Sequence, residues 1–152
     1  MVGGVPEGFV EASYQGIVSI RGPAGSVPVI LLKDANERTM AIPLASLESD
    51  LIRRTLSGNN EGPQPYHTLI ACLGKLDTTF GEVRILYSGE FDLPTRIMLR
   101  SASGTEIEVT VPCGDGIAYS QLARVPIYVA EELISAVGAC AAEAGIGIPN
   151  RR

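Results

Sequence analysis

The chain has 152 residues, a size at which one domain can bury a core without disulfide or metal staples. Hydrophobic residues make up 45% and charged residues 19%, against roughly 25% charged in an ordinary soluble domain. The net charge of −5 argues against a dedicated nucleic-acid binder, because phosphate backbones demand a segregated patch of Lys and Arg.

The predicted elements begin with strands. Residues 9–21 alternate loosely, and Gly22-Pro23-Ala24-Gly25 reads as a turn. An apolar run over 27–33 ends at Asp34-Ala35-Asn36, and 38–43 reads as a third strand. A helix is expected over 44–57, with Leu44, Leu47, Leu51, Ile52 and Leu56 as its apolar stripe and Gly58 as its stop. After a loop rich in Asn, Gly and Pro, a second helix covers 66–76, with Leu69, Ile70, Leu73 and Leu76 on its buried side.

Residues 80–87 form the next strand, and 95–101 with 105–111 form a hairpin. Ile97 and Leu99 share a face with Ile107, Val109 and Val111, which requires an odd-numbered turn. Ala102-Ser103-Gly104 supplies it, with Gly at the left-handed position. That register sets Arg100 opposite Glu106 and Arg96 diagonal to Glu108, as cross-strand partners rather than phosphate ligands. A short helix follows Pro112 and runs through Leu122, 125–129 is extended, and a last helix spans about 130–144, stopped by Gly145. Its face carries Ala130, Ile134, Val137 and Ala141, small enough for close packing against another element or subunit. The mixture lacks a βαβ rhythm, so the expected fold is a single α+β domain over 1–152, with a mixed or antiparallel sheet and helices packed on it.

Three widely spaced cysteines, Cys72, Cys113 and Cys140, form no CxxC pair and are expected as free thiols in a reducing cytoplasm. MVGGVPEG has no basic residue ahead of an apolar run, so no signal peptide is expected. The C-terminal apolar stretch is too short and too polar to span a membrane. The strong catalytic signatures of phosphate-binding loops, dinucleotide folds, serine hydrolases and zinc proteases do not occur.

Three residues stand out. Glu48 interrupts the stripe of Leu44, Leu51 and Ile52, where a carboxylate needs a partner. It reads either as the acidic half of a capping box closed on Ala45 or as a functional carboxylate. Asp115 follows Pro112-Cys113-Gly114 at a helix start and reads either as a cap or as a site residue. His67, the sole histidine, sits in a first helical turn, where the dipole favours the neutral imidazole; it reads as a hydrogen-bonding neighbour or as a base. Cys113, at the same helix start as Asp115, reads as a small buried hydrophobe or a mildly activated thiol.

The order of segments resembles the bifunctional nuclease domain family. Ile30-Leu31-Leu32-Lys33-Asp34, the segment 38–45, and Glu48 with Ile52 and Leu56 are similar to its opening two strands and helix. His67 and Leu69 match its Thr-His-Asp-Leu segment. Asp115-Gly116-Ile117-Ala118-Tyr119 and Val125-Pro126-Ile127-Tyr128-Val129 match its Asp-Ala-Ile-Ala-Leu and Pro-Ile-Tyr-Val blocks. The resemblance spans about 17–133. Departures are Thr110-Val111-Pro112-Cys113-Gly114 in place of Asp-x-Arg-Pro-Ser, Thr68 for Asp, Ala45 for Gly, and Leu93-Pro94 as an insertion.

The resemblance implies that family's α+β fold and cleavage of DNA and RNA. On that reading Glu48 and Asp115 hold a divalent metal, Mg²⁺ or Mn²⁺ by their hard oxygen ligands, and His67 assists proton transfer, making all three catalytic. The alternative is a non-catalytic oligomeric module that binds a partner or small ligand. A homodimer or higher homo-oligomer is expected from the low charge content and the small-residue helix face, with weak, salt-sensitive nucleic-acid binding.

Overall fold

The computed structural model describes residues 4–59, 61–89 and 92–143, with 138–143 as helical backbone only. It contains β1 (Phe9–Gly22), β2 (Gly25–Asp34), β3 (Thr39–Pro43), α1 (Ser46–Leu56), α2 (Pro65–Lys75), β4 (Thr79–Ile85), β5 (Thr95–Arg100), β6 (Glu106–Val111), α3 (Cys113–Ala123), β7 (Ile127–Ala130) and α4 (Glu131–Glu143). The fold is α+β: the strands form one mixed, largely antiparallel sheet with helices packed against it. The expected Ala141 contact, Gly145 stop and Cys140 thiol lie outside the described side chains.

The seven strands lie in the order β3-β2-β1-β7-β4-β5-β6. Two antiparallel meanders, β1–β3 and β4–β6, are joined by β7, which runs antiparallel to β1 and parallel to β4. The short β7 is therefore central, and Ile127, Tyr128 and Val129 are all buried, as expected of a strand covered on both faces. The β1–β2 turn closes on the Gly22–Gly25 pair, and the β5–β6 hairpin has the expected register. Arg100 faces Glu106 at 3.2 Å, Arg96 reaches diagonally to Glu108 at 3.0 Å, and Gly104 takes φ +88° in the turn.

The helices differ from their sequence patterns in which side they bury. On α1 the buried residues are Ser49, Ile52 and Thr55, while Leu47 is 85% exposed and Leu51 half-buried. Small Ser49 and Thr55 let the helix approach its neighbours, and the Ser49 hydroxyl is satisfied by donating to the Ser46 carbonyl at 3.0 Å. The leucine stripe is thus split, with Leu47 and Leu51 left for a cleft. On α2, Leu69, Ile70 and Leu73 are half-buried, but Leu76 falls at the C-cap and is exposed.

α3 is the helix at the centre of the packing. Gly114, Gly116, Ile117, Ala118, Tyr119 and Ser120 are consecutive buried positions apart from Asp115, so it is enclosed nearly all round. Two of its glycines are required by close approach. A Cβ on Gly116 would sit 2.7 Å from Thr95 Cγ2 and 3.2 Å from Val83 Cγ1, on the sheet side. A Cβ on Gly114 would sit 2.9 Å from Leu44 Cδ2 and 3.0 Å from Glu48 Oε2, on the α1 side. These contacts draw the starts of α1 and α3 together.

α4 is fastened at its first turn. Leu133 and Ile134 are fully buried. Arg38 donates through both terminal nitrogens to Glu131, at 2.7 and 2.9 Å, and through Nε to Asp34 at 2.8 Å. The other Asp34 oxygen accepts the backbone N–H groups of Asn36 and Arg38, so one buried carboxylate organises both the β2–β3 turn and the arginine. Among the described residues no helix is long and apolar enough to cross a membrane.

Candidate functional site

The starts of three helices meet at a cleft of about 390 Å³. α1 contributes Leu47, Glu48 and Leu51, α2 contributes Pro65 and Tyr66, and α3 contributes Asp115 and Tyr119. Two carboxylates and two phenols are thus set among aliphatic walls, with no Lys, Arg or His among the lining residues.

Tyr66 is the deepest anchor, 4% exposed, placed by Pro65 at the first helical position of α2. Its ring meets Tyr119 edge-on, with centroids 5.2 Å apart at 78°, and Tyr119 in turn leans on Phe80 at 5.7 Å. The Tyr66 hydroxyl donates to Asp115 Oδ1 at 2.8 Å. Burial, that hydrogen bond and the nearby charges of Asp115 and Glu48 push its pKa well above the ordinary value. At neutral pH Tyr66 is therefore a fixed donor and not a base. The Tyr119 phenol is pushed up as well, by burial and then by Asp115.

Glu48 takes half of a capping box. Its Oε1 accepts the Ala45 N–H at 3.3 Å, but Ala45 has no side-chain oxygen to return the bond. Its Oε2 is the atom that lies against Gly114. Asp115 stands in the first turn of α3, where the helix dipole favours a negative charge. Among the described residues no ion pair reaches Glu48 or Asp115.

Of the three residues singled out from the sequence, Glu48 and Asp115 line this one cleft. His67 is exposed on α2, next to inward-pointing Tyr66, and is not among the lining residues. Cys113 is half-buried, and burial, opposed by a hydrogen bond with Thr95 and reinforced by Glu48, raises its thiol to about 11. It is therefore the small buried hydrophobe rather than an activated thiol. Tyr66 is the site residue that sequence reasoning did not single out. It stands at i of the i, i+3, i+4, i+7 set completed by Leu69, Ile70 and Leu73, and that periodicity is the signal that marks it as inward-facing.

Among the described residues no group of three or more His, Cys, Asp and Glu is gathered as a metal cage. The donor set of Glu48 and Asp115 fits a different kind of ion. Mg²⁺ and Mn²⁺ accept hard oxygen ligands, and Mg²⁺ keeps several waters, so one or two carboxylates suffice when a substrate phosphate completes the sphere. Zinc, which wants at least three protein ligands, does not fit. No protein-family model matches the chain, and no curated protein matches it.

Proposed function

We propose that the cleft at the helix starts is a site for a hydrated divalent cation and that the chain cleaves phosphodiesters there, the activity implied by its resemblance to the bifunctional nuclease domain family. The observation that carries the reading is the convergence of Glu48 and Asp115 in one cleft with no basic side chain to neutralise them. Glu48 and Asp115 would hold the ion, and a bound Mg²⁺ or Mn²⁺ would supply attraction for a phosphate and stabilisation of its developing charge. Tyr66, protonated at neutral pH, orients Asp115 through its 2.8 Å hydrogen bond. Leu47, Leu51 and Pro65 form the apolar rim beside the carboxylates. His67 remains a candidate for proton transfer only if substrate extends along the exposed flank of α2.

A second reading is favoured by the aliphatic walls and the lack of lining Lys, Arg and His. On that reading the cleft belongs to a non-catalytic module and binds an amphipathic cation, with Glu48 and Asp115 as counter-charges and Tyr66 and Tyr119 as an aromatic wall. The deciding experiment uses nuclease-free protein on single- and double-stranded DNA and RNA, with Mg²⁺, Mn²⁺ or chelator, beside calorimetric titration of each ion. Metal-dependent cleavage that falls by more than roughly 100-fold in Asp115→Asn and Glu48→Gln is expected, since disturbing even the outer shell of a metal site costs 10–100-fold. Absence of both cleavage and metal binding overturns the first reading; calorimetric binding of a tetraalkylammonium probe without cleavage selects the second, and absence of that binding overturns it.

A further inference from the structure

The sheet ends differently at its two edges. At the β3 edge the strand is short, ends in Pro43 and is packed by α4, which are ordinary ways of blunting an edge. Among the described residues the β6 edge is less guarded: β6 is one residue longer, Pro112 follows it rather than ending it, and no helix packs along it as α4 does along β3. β6 has no Lys, no internal Pro and no bulge, and its register with β5 is continuous.

The apolar rows of the core also run out to that edge without a polar stop. The row Val83–Ile97–Val109 goes from fully buried to 37% exposed, and the row Phe80–Leu99–Ile107 ends 39% exposed. On the opposite face Glu106 and Glu108 are already occupied by Arg100 and Arg96.

The hydrogen-bond phase identifies what the edge offers. Ser101 N–H donates to the Thr105 carbonyl, so Thr105, Ile107, Val109 and Val111 turn their backbone groups toward β5. Glu106, Glu108 and Thr110 therefore turn theirs outward. A two-fold axis passing at Val109 makes this edge complementary to itself. Glu108 of one copy then lies opposite Thr110 of the other, and each pair exchanges both N–H···O=C bonds. On the apolar face Val109 meets its own copy and Ile107 meets Val111. Moving the axis by one residue to Glu108 would set two carboxylates directly opposite each other, which is unfavourable.

We propose that β6 is a self-association edge, pairing antiparallel with β6 of a second copy about an axis at Val109 and continuing the sheet through the dimer. This proposal is independent of the reading of the cleft.

The test is light scattering and sedimentation of the full chain across the micromolar range, with variants. The wild type is expected as a dimer. Val109→Lys places like charges on the axis and is expected to raise the dimer dissociation constant about 100-fold or more without altering the far-ultraviolet circular dichroism. Thr110→Pro removes one outward N–H and leaves the β5 ladder intact, so it should weaken the dimer even if the lysine variant misfolds. Register is read by cross-linking with Cys72 and Cys140 replaced by serine. Val109→Cys should oxidise to a covalent dimer, because facing residues of a non-hydrogen-bonded pair lie about 4.5 Å apart at Cα, within disulfide reach. Glu108→Cys should not. A monomeric wild type, a dimer indifferent to both edge variants, or cross-linking at position 108 instead of 109 would overturn the proposal.

Discussion

The molecule contains two acidic pairs at helix starts, and they are resolved in opposite ways. At the start of α4, Asp34 and Glu131 converge on Arg38, which bonds to both. Each charge there has an internal answer, and the result fastens a helix to a turn. At the starts of α1 and α3, Glu48 and Asp115 converge on a cleft that no lysine, arginine or histidine lines. One carboxylate is held by a backbone N–H and the other by a phenol. The comparison teaches that carboxylate proximity alone does not distinguish a structural clamp from a site; the source of the balancing charge does. In the clamp a guanidinium supplies it, and in the cleft no lining side chain does.

The largest expected effect that tests the contrast comes from the clamp. Arg38→Ala strands the Asp34 carboxylate, whose side chain is 2% exposed. Truncating one partner of a buried pair costs about 3–5 kcal/mol, and the partial exposure of Arg38 brings the expected loss in denaturant unfolding to about 2–3 kcal/mol. The cation titration of the cleft should be unchanged in this variant. If metal affinity falls with stability, the two pairs are coupled and the comparison breaks.

Gly114→Ala is expected to act on both properties of the cleft at once. The added methyl meets Leu44 and Glu48 within 3.0 Å. Overpacking of this kind costs about 1–3 kcal/mol, and relief by displacing Glu48 should weaken ion binding in the same calorimetric titration. Glu48→Gln separates the two. The amide oxygen still accepts the Ala45 N–H, so the thermal shift should correspond to less than about 1 kcal/mol, the size of a whole cap. Cation binding should nevertheless be lost. A variant that loses stability but keeps its cation would make Glu48 a cap alone.

The smallest effect is a pH dependence confined to the clamp. Arg38, with added help from Ser135, holds the Glu131 carboxyl at about 2 in place of its ordinary 4.5. A depressed folded pKa means that the stabilisation is complete above the ordinary value and drains away as pH falls toward about 2. Wild-type melting temperature should therefore decline over that window more steeply than that of Glu131→Gln. Parallel curves would show that the pair contributes nothing measurable.

Local rules made parts of the fold legible. The β5–β6 hairpin followed from parity, a three-residue turn and Gly104, and its arginine–glutamate pairs followed from the register. The α+β class followed from the element order. The orientation of α1 did not follow, because five leucines and isoleucines outweigh Ser49 and Thr55 in any hydrophobic count, whereas the packed helix needs small side chains at its contact. Glu48 was visible as a charge in an apolar stripe and Asp115 as an acid at a helix start, but the Tyr66–Asp115 bond depends on α2 meeting α3 and leaves no local trace. The strand order was equally hidden, since periodicity reveals strands and not their neighbours. Ile107, Val109 and Val111 read as the apolar face of a hairpin strand; their exposure became apparent only once β5 was known to be the sole strand beside β6 among the described residues.

The place of β7 has a consequence for how the chain reaches this state. Each meander is built from neighbours in sequence and can form through short loop closures. The seam between them is a strand of four residues, Ile127–Ala130, that leaves the ribosome after both. Until it arrives, β1 and β4 each present an open inner edge. This topology favours an order in which the locally connected half-sheets form before the segment that joins them. The segment that completes the sheet must pair antiparallel on one side and parallel on the other, both with strands distant in sequence.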